Sequence, residues 1–130
     1  MYHKYSSSQD EEEVLNDIKA RCVKTFLDII IAFTLKIRGC LSGYKIIEHI
    51  YSKTKVLVSP STLYPVLHQM EDKSLIEKLQ VDGRGGVYKL TRKGESWLYK
   101  AAEIILKSQA YLRILNILQR EEVEALTSKV

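Results

Sequence analysis

Leu15, Ile18, Cys22, Phe26, Ile29 and Phe33 recur at three- and four-residue steps, which is one apolar face of a helix. Asp10 suits the N-cap of that helix. Glu11 to Glu13 then set negative charge at the positive end of its dipole. Ile30, Ile31 and Leu35 widen the stripe, so the second half of the helix is expected to be buried on more than one side. Gly39 ends the run or lies just past it. The pattern predicts one long helix after a polar, unpatterned tail over residues 1–10.

Ser42 reads as the next N-cap. Gly43, Tyr44, Ile46, Ile47 and Ile50 follow, giving a short helix to around Lys53. "SKTKVLV" is a connector. Ser59 caps a further short helix over about 59–73, with Pro60 at its first position, where a missing N–H costs nothing. Leu63, Val66, Leu67 and Met70 form its inner face. Ser61, Thr62, Tyr64, Pro65, His68 and Gln69 are left outside. Pro65 is the anomaly, because an interior proline usually costs about 3 kcal/mol. It stands only about one and a half turns in, so the carbonyl it orphans is that of Ser61, where water, a hydroxyl or a ligand can reach it.

After Ser74 the period changes from helix to strand. "LIEKLQV" and "VYKLT" flank the Gly-rich tip "DGRGG", Asp82 to Gly86, which is a β-hairpin signal over about 76–91. Thr91 can cap a last helix from about Arg92 to Arg120. Trp97, Ile104, Tyr111 and Leu118 form one seven-residue stripe on it. Leu98, Ile105 and Leu112 form another, and Ala101, Ser108 and Leu115 a third. So wide an apolar surface needs partners on more than one side, as core packing, a dimer seam or a ligand pocket.

Helix, helix, helix, hairpin, long helix is the order of a winged helix-turn-helix. The expected fold is mainly α with a small β-hairpin, a long N-terminal helix and a long C-terminal dimerisation helix. It divides as tail 1–10, winged domain 11–91 and C-terminal helix with tail 92–130. This architecture offers its second short helix to a DNA major groove and its hairpin tip to backbone or minor groove. Winged helices also serve as protein-interaction modules, and that reading stays open as the alternative.

The 130 residues fit this single small architecture. Twenty Lys and Arg against sixteen Asp and Glu leave a charge of +4, which permits nucleic-acid binding without establishing it. No apolar run nears the roughly 20 residues that cross a bilayer, and the N-terminus lacks the apolar core of a secretory signal. A soluble cytoplasmic protein with no membrane partner is expected. Cys22 and Cys40 have no metal-ligand spacing and read as two buried small side chains, with a disulfide between them as the alternative. No nucleophile–base set, phosphate loop or metal set is present, so an enzyme, a cofactor and a metal are not expected.

The segments "SGYKIIEHI", "SPSTLYPVLHQMEDKSLIEK" and "GVYKLTRKGESWL" together resemble the PadR family of winged-helix transcriptional regulators, over about residues 27 to 98. Gly43 and Tyr44, Leu63 to Leu67, and Tyr88 to Gly94 fall in family order and spacing. Ser42, Ser61 and Ser74 depart from it, where the family commonly has His, Gly and Gly. The resemblance implies a homodimer, paired largely through the first and last helices, that binds an inverted-repeat operator on double-stranded DNA. A repressor is the expected role. A small-molecule effector is left unidentified.

The candidate DNA contacts are then Tyr44 and Lys45 at the start of the second helix, and Ser61, Thr62, Tyr64, Pro65 and His68 on the outer face of the third. Lys78, Arg84 and Lys89 are the candidates on the wing. The candidate dimer contacts are Phe26 and Ile30 on the first helix, and Trp97, Ala101, Ile104, Ile105, Tyr111, Leu112 and Leu115 on the last.

Overall fold

The computed structural model describes residues 8–82, 85–108, 113–114 and 116–120. Five helices and one hairpin follow in order: α1 Ser8–Thr25, α2 Leu27–Arg38, α3 Gly43–Thr54, α4 Pro60–Asp72, β1 Ile76–Gln80, β2 Gly86–Leu90 and α5 Arg92–Ser108. Residues 113–114 and 116–120 are helical as well. The chain forms two compact units that divide between Leu98 and Tyr99.

The single N-terminal helix that the pattern predicts is two helices. Phe26 leaves helical geometry, at φ −109° and ψ 28°. Its N–H still donates to the Cys22 carbonyl and its carbonyl still accepts from Ile30, each at 3.0 Å. The joint therefore bends the chain without orphaning these backbone groups. In place of a capping side chain at Phe26, the Asp28 carboxylate accepts from the Ile29 N–H at 2.8 Å. Among the described residues the chain is already helical at Ser8, ahead of the expected cap at Asp10. Asp10 and Glu11 occupy the first turn, where the dipole favours them.

The inward face is the expected one only in part: Ile31 and Leu35 are buried and Ile29 and Ile30 pack against the core, but most of the first stripe does not turn inward. The core takes Val23, Leu27, Ile31, Ala32 and Leu35, while Leu15, Ile18 and Phe33 remain exposed. Two apolar stripes run along this sequence, and only tertiary packing selects between them. Cys22 and Cys40 are free and exposed, so neither buried thiols nor a disulfide is found. Cys22 lies on a helix whose one buried residue is Val23, and Cys40 lies in the link between α2 and α3.

α2, α3 and α4 pack on one another around Leu27, Ile31, Ile46, Ile50, Leu63, Leu67 and Met70, each at most 2% exposed. Gly39 closes α2 at φ 83° and ψ −128°, a region essentially closed to other residues, and its N–H donates to the Leu35 carbonyl at 2.8 Å. α3 is capped by Ser42, whose hydroxyl accepts from the Lys45 N–H at 3.2 Å. α4 ends in a Schellman motif. The Leu75 N–H reaches the Met70 carbonyl at 2.9 Å, and the Ser74 N–H reaches the Glu71 carbonyl at 2.8 Å. Met70 and Leu75, both buried, supply the apolar contact of that motif, and Ser74 takes its left-handed position at φ 60°.

β1 and β2 pair antiparallel, with Ile76 opposite Leu90, Lys78 opposite Tyr88 and Gln80 opposite Gly86. Leu41 adds a one-residue third strand by exchanging backbone bonds with Tyr88 at 2.7 and 3.1 Å. Thr91 then joins the hairpin to α5. Its hydroxyl donates to the Ser74 carbonyl at 2.6 Å and accepts from the Gly94 N–H at 3.0 Å. Gly94 passes so close to the Leu75 carbonyl that a Cβ there would overlap it. Leu98 is fully buried and Trp97 packs against the core beside it. Among the described residues, no helix is long and apolar enough to cross a membrane.

Candidate nucleic-acid interface

α4 is held from below and bare above. Leu63, Leu67 and Met70 bury one face, which leaves Ser61, Tyr64, Pro65, His68 and Gln69 exposed and Thr62 half-buried, as the periodicity predicts. The helix is continuous through Pro65, so the proline removes one donor without ending the element. At its N-terminal end three hydroxyls meet. The Ser59 hydroxyl accepts from the Thr62 N–H at 3.3 Å and donates to the Thr62 hydroxyl at 3.0 Å, and it lies 3.0 Å from the Ser61 hydroxyl. The sequence marks Ser59 only as a cap. Its place in this exposed cluster depends on where the turn sets the hydroxyls. Further along, His68 Nδ1 lies 3.8 Å from the Glu71 carboxylate, an attraction that operates when the imidazole is protonated.

Tyr64 extends the surface to α3. A Cβ built on Gly43 would stand 2.5 Å from the Tyr64 hydroxyl oxygen, so the ring occupies the space a side chain at Gly43 would need. Beside it Tyr44 is 66% exposed. Lys45 is exposed too, with its ammonium 3.1 Å from the Glu48 carboxylate. A surface pair of this kind contributes at most about 1 kcal/mol, so it leaves Lys45 free to exchange partners.

The wing divides its lysines. Cross-strand partners share a face, and alternate residues of a strand lie on opposite faces. Lys78 therefore projects with Tyr88 and Ile76, and Lys89 projects with Glu77 on the other side. The stem of Lys78 lies where a Cβ on Gly86 would go, and its ammonium is 5.9 Å from the centre of the Tyr88 ring. Tyr88 is itself buried. That burial, with the nearby negative charge of Glu71 and the neighbouring Tyr64, raises its hydroxyl pKa. The base of the wing packs beside α4. The site thus brings together Tyr44, Lys45, Ser61, Thr62, Tyr64, Pro65, His68 and the Lys78 side of the hairpin. Arg84, the expected tip residue, lies outside the described residues.

Of the candidate dimer contacts, Phe26 is half-buried, and Ile30 and Trp97 pack partly against the core. In the second unit Ala101 is half-buried, Ile104 is 58% exposed and Ile105 42% exposed. Tyr111, Leu112 and Leu115 lie outside the described residues. Among the described residues no group of His, Cys, Asp or Glu is placed to hold a metal ion.

The sequence model of the transcriptional regulator PadR-like family matches residues 35–100, half of the chain. The chain belongs to this family. Among solved structures, this PadR-like chain is similar to a transcriptional regulator from Clostridium thermocellum, at 23% identity and a TM-score of 0.64, covering 72% of this chain and 95% of that one. It is also similar to a PadR family transcription regulator from Clostridium difficile, at 27% identity and a TM-score of 0.56, covering 69% of this chain and 98% of that one. F93 from STIV, a winged-helix DNA-binding protein, is 24% identical, with a TM-score of 0.55, over 59% of this chain and 84% of that one. No curated protein matches in sequence. The fold is the winged-helix DNA-binding fold, and the PadR-like family is one of transcriptional regulators.

The motifs that carry the PadR resemblance acquire physical meaning in this fold. Gly43 makes room for Tyr64, and Gly94 makes room for the Leu75 backbone. Tyr88 fills the core while its backbone holds Leu41.

Proposed function

We propose that this PadR-like protein is a homodimeric repressor that binds an inverted-repeat operator, with one α4 in the major groove of each half-site and the wing beside it. The observation that carries this reading is the exposed hydroxyl cluster of Ser59, Ser61 and Thr62, continued by Tyr64, Pro65 and His68 along a face with no fixed charge. Hydroxyls and imidazole can donate to and accept from base edges, and the proline ring can meet a thymine methyl. Lys45 and Lys78 flank this face and can neutralise phosphates, which orients the helix without reading sequence. Arg84 is proposed to reach backbone or minor groove from the wing tip, and Lys89 to add a phosphate contact from the hairpin's other face.

The dimer is supported by apolar side chains left in water within single chains. On α1 and α2 these are Leu15 and Ile18, each 51% exposed, and Phe33 at 42%. Ile104, Ile105 and Leu106 play the same part on α5. Phe26, Ile30, Trp97 and Ala101 border these surfaces in the proposed assembly. Exposed patches of this kind mark interaction sites.

Titration of labelled promoter fragments at several salt concentrations tests the DNA reading. A preferred fragment, bound with an affinity that falls steeply with salt, is the expected result. Salt-insensitive binding with no preference among fragments would refute it. Sedimentation of the free protein at micromolar concentration tests the dimer separately, and a stable monomer would refute that part alone.

A further inference from the structure

The end of α2, the α2–α3 link and α3 line a cleft of about 450 Å³, which shares Lys45 with the candidate DNA interface. Its lining includes Arg38 from α2 and Lys45, His49, Ser52 and Lys53 from α3, with Ile37 and Leu41 as its apolar members. Glu48 is the one carboxylate in the lining. Three cations against it give the cleft a net charge of +2 while His49 is neutral. Glu48 is engaged with Lys45 at 3.1 Å, whereas Arg38 and Lys53 have no ion-pair partner among the described residues. Two cations without an ion-pair partner among the described residues and a half-buried imidazole therefore line one concave space in which Glu48, paired with Lys45, is the single carboxylate.

We infer that this cleft binds the phosphate dianion of a small phosphomonoester. A dianion matches the local charge, and the fork of Arg38 can take two of its oxygens in parallel. Lys53 supplies a second cation, the Ser52 hydroxyl lies in the same lining, and Ile37 and Leu41 offer apolar surface to a compact organic body. A backbone phosphodiester of DNA shares the oxyanion chemistry but carries one charge, and the test below separates the two.

His49 supplies the means of detection. Partial burial, then Arg38, then Lys53 hold its pKa below the usual histidine value of 6.5. The charged groups facing it are Arg38 from α2 and Lys45, Glu48 and Lys53 from α3. A dianion between these groups screens the cations and favours the imidazolium, so binding raises the His49 pKa. The phosphomonoester itself takes a proton near pH 6, so the imidazole titration is a cleaner readout than affinity against pH.

The experiment follows the imidazole resonances of the full chain by NMR, without DNA, as glycerol phosphate is added at constant ionic strength. His68 on α4 serves as the internal control. The expected result is a saturable shift confined to His49, a raised His49 pKa, and affinity lowered about fivefold by either Arg38→Gln or Lys53→Gln, the size of one partly exposed charged contact. Both side chains are exposed, so the variants are expected to keep the wild-type melting temperature. Sodium chloride producing the same His49 shift would overturn the inference. So would a His49 that responds to duplex DNA but not to glycerol phosphate, which would assign the cleft to the DNA backbone. Because DNA is absent from the main titration, its failure leaves the operator reading untouched, and failure of that reading leaves the titration valid.

Discussion

The Tyr64 ring of α4 lies over the Cα of Gly43 at the start of α3, with its hydroxyl oxygen 2.5 Å from where a Cβ would stand. This contact ties the proposed reading helix to the helix before it and sets where the Tyr64 hydroxyl is presented. Gly94 has a similar role against a different neighbour, because a Cβ there meets the Leu75 backbone carbonyl. The neighbours differ in their freedom to move, and that decides the outcome of substitution. In Gly43→Ala the exposed end of a tyrosine can swing aside, so the expected loss of stability is at most about 1 kcal/mol. DNA affinity is expected to fall with it as Tyr64 moves. In Gly94→Ala backbone must move, at a cost of roughly 3 kcal/mol. Urea denaturation of both variants, with DNA titration of the first, checks the contrast.

Ser74 holds the left-handed position of the α4 Schellman motif at φ 60°. A left-handed conformation costs a non-glycine residue roughly 1–2 kcal/mol, and glycine loses about 0.5–1 kcal/mol through its greater freedom in the unfolded chain. Ser74→Gly is therefore expected to stabilise the protein by about 0.5 kcal/mol, seen as a higher urea midpoint at unchanged slope. A lower midpoint would mean that the serine side chain contributes something the backbone argument misses.

Lys78 and Lys89 project from opposite faces of the hairpin, and Lys89 sits across from Glu77. A lysine on the face continuous with α4 neutralises a phosphate more directly than one beside a carboxylate on the far face. Lys78→Ala is expected to reduce the salt slope of DNA binding by about one and to weaken all sequences alike. Lys89→Ala is expected to change the slope less. Equal effects would place DNA across both faces of the wing.

The lowered pKa of His49 also predicts a pH dependence of stability. The unfolded chain takes this proton near the ordinary value of 6.5, and the folded chain takes it at lower pH. Between the two values the unfolded state holds more protons, so acidification favours unfolding. The His49 contribution is thus complete above 6.5 and is lost as pH falls through the native value. Denaturation midpoints at stepped pH, compared with those of His49→Gln, are expected to show a shallower loss over that window in the variant.

Much of the fold is local chemistry and therefore legible along the chain. Ser42, Ser59 and Thr91 cap the helices at the positions their neighbours in sequence suggest, because a cap needs only the next three residues. The hairpin follows from two strand-forming runs around glycines. The outer face of α4 follows from the spacing of Leu63, Leu67 and Met70, so most of the candidate interface is legible in the sequence.

Other features depend on groups that meet only when the chain is folded. Two apolar stripes run along residues 14–37, and periodicity alone gives no preference between them. Packing of α2 against α3 and α4 buried Leu27, Ile31 and Leu35 and left Leu15, Ile18 and Phe33 in water. The bend at Phe26 belongs to the same choice, since no proline or glycine marks it in the sequence. Tyr64 over Gly43, Lys78 over Gly86, and Arg38 beside His49 and Lys53 are likewise products of assembly. The sequence by itself determined where α3, α4 and α5 begin, where the hairpin lies and which family these elements compose, because caps, turns and periods act over a few residues. The tertiary structure alone decided which apolar face is core and which charges converge, because those depend on distances between elements that no local rule sets.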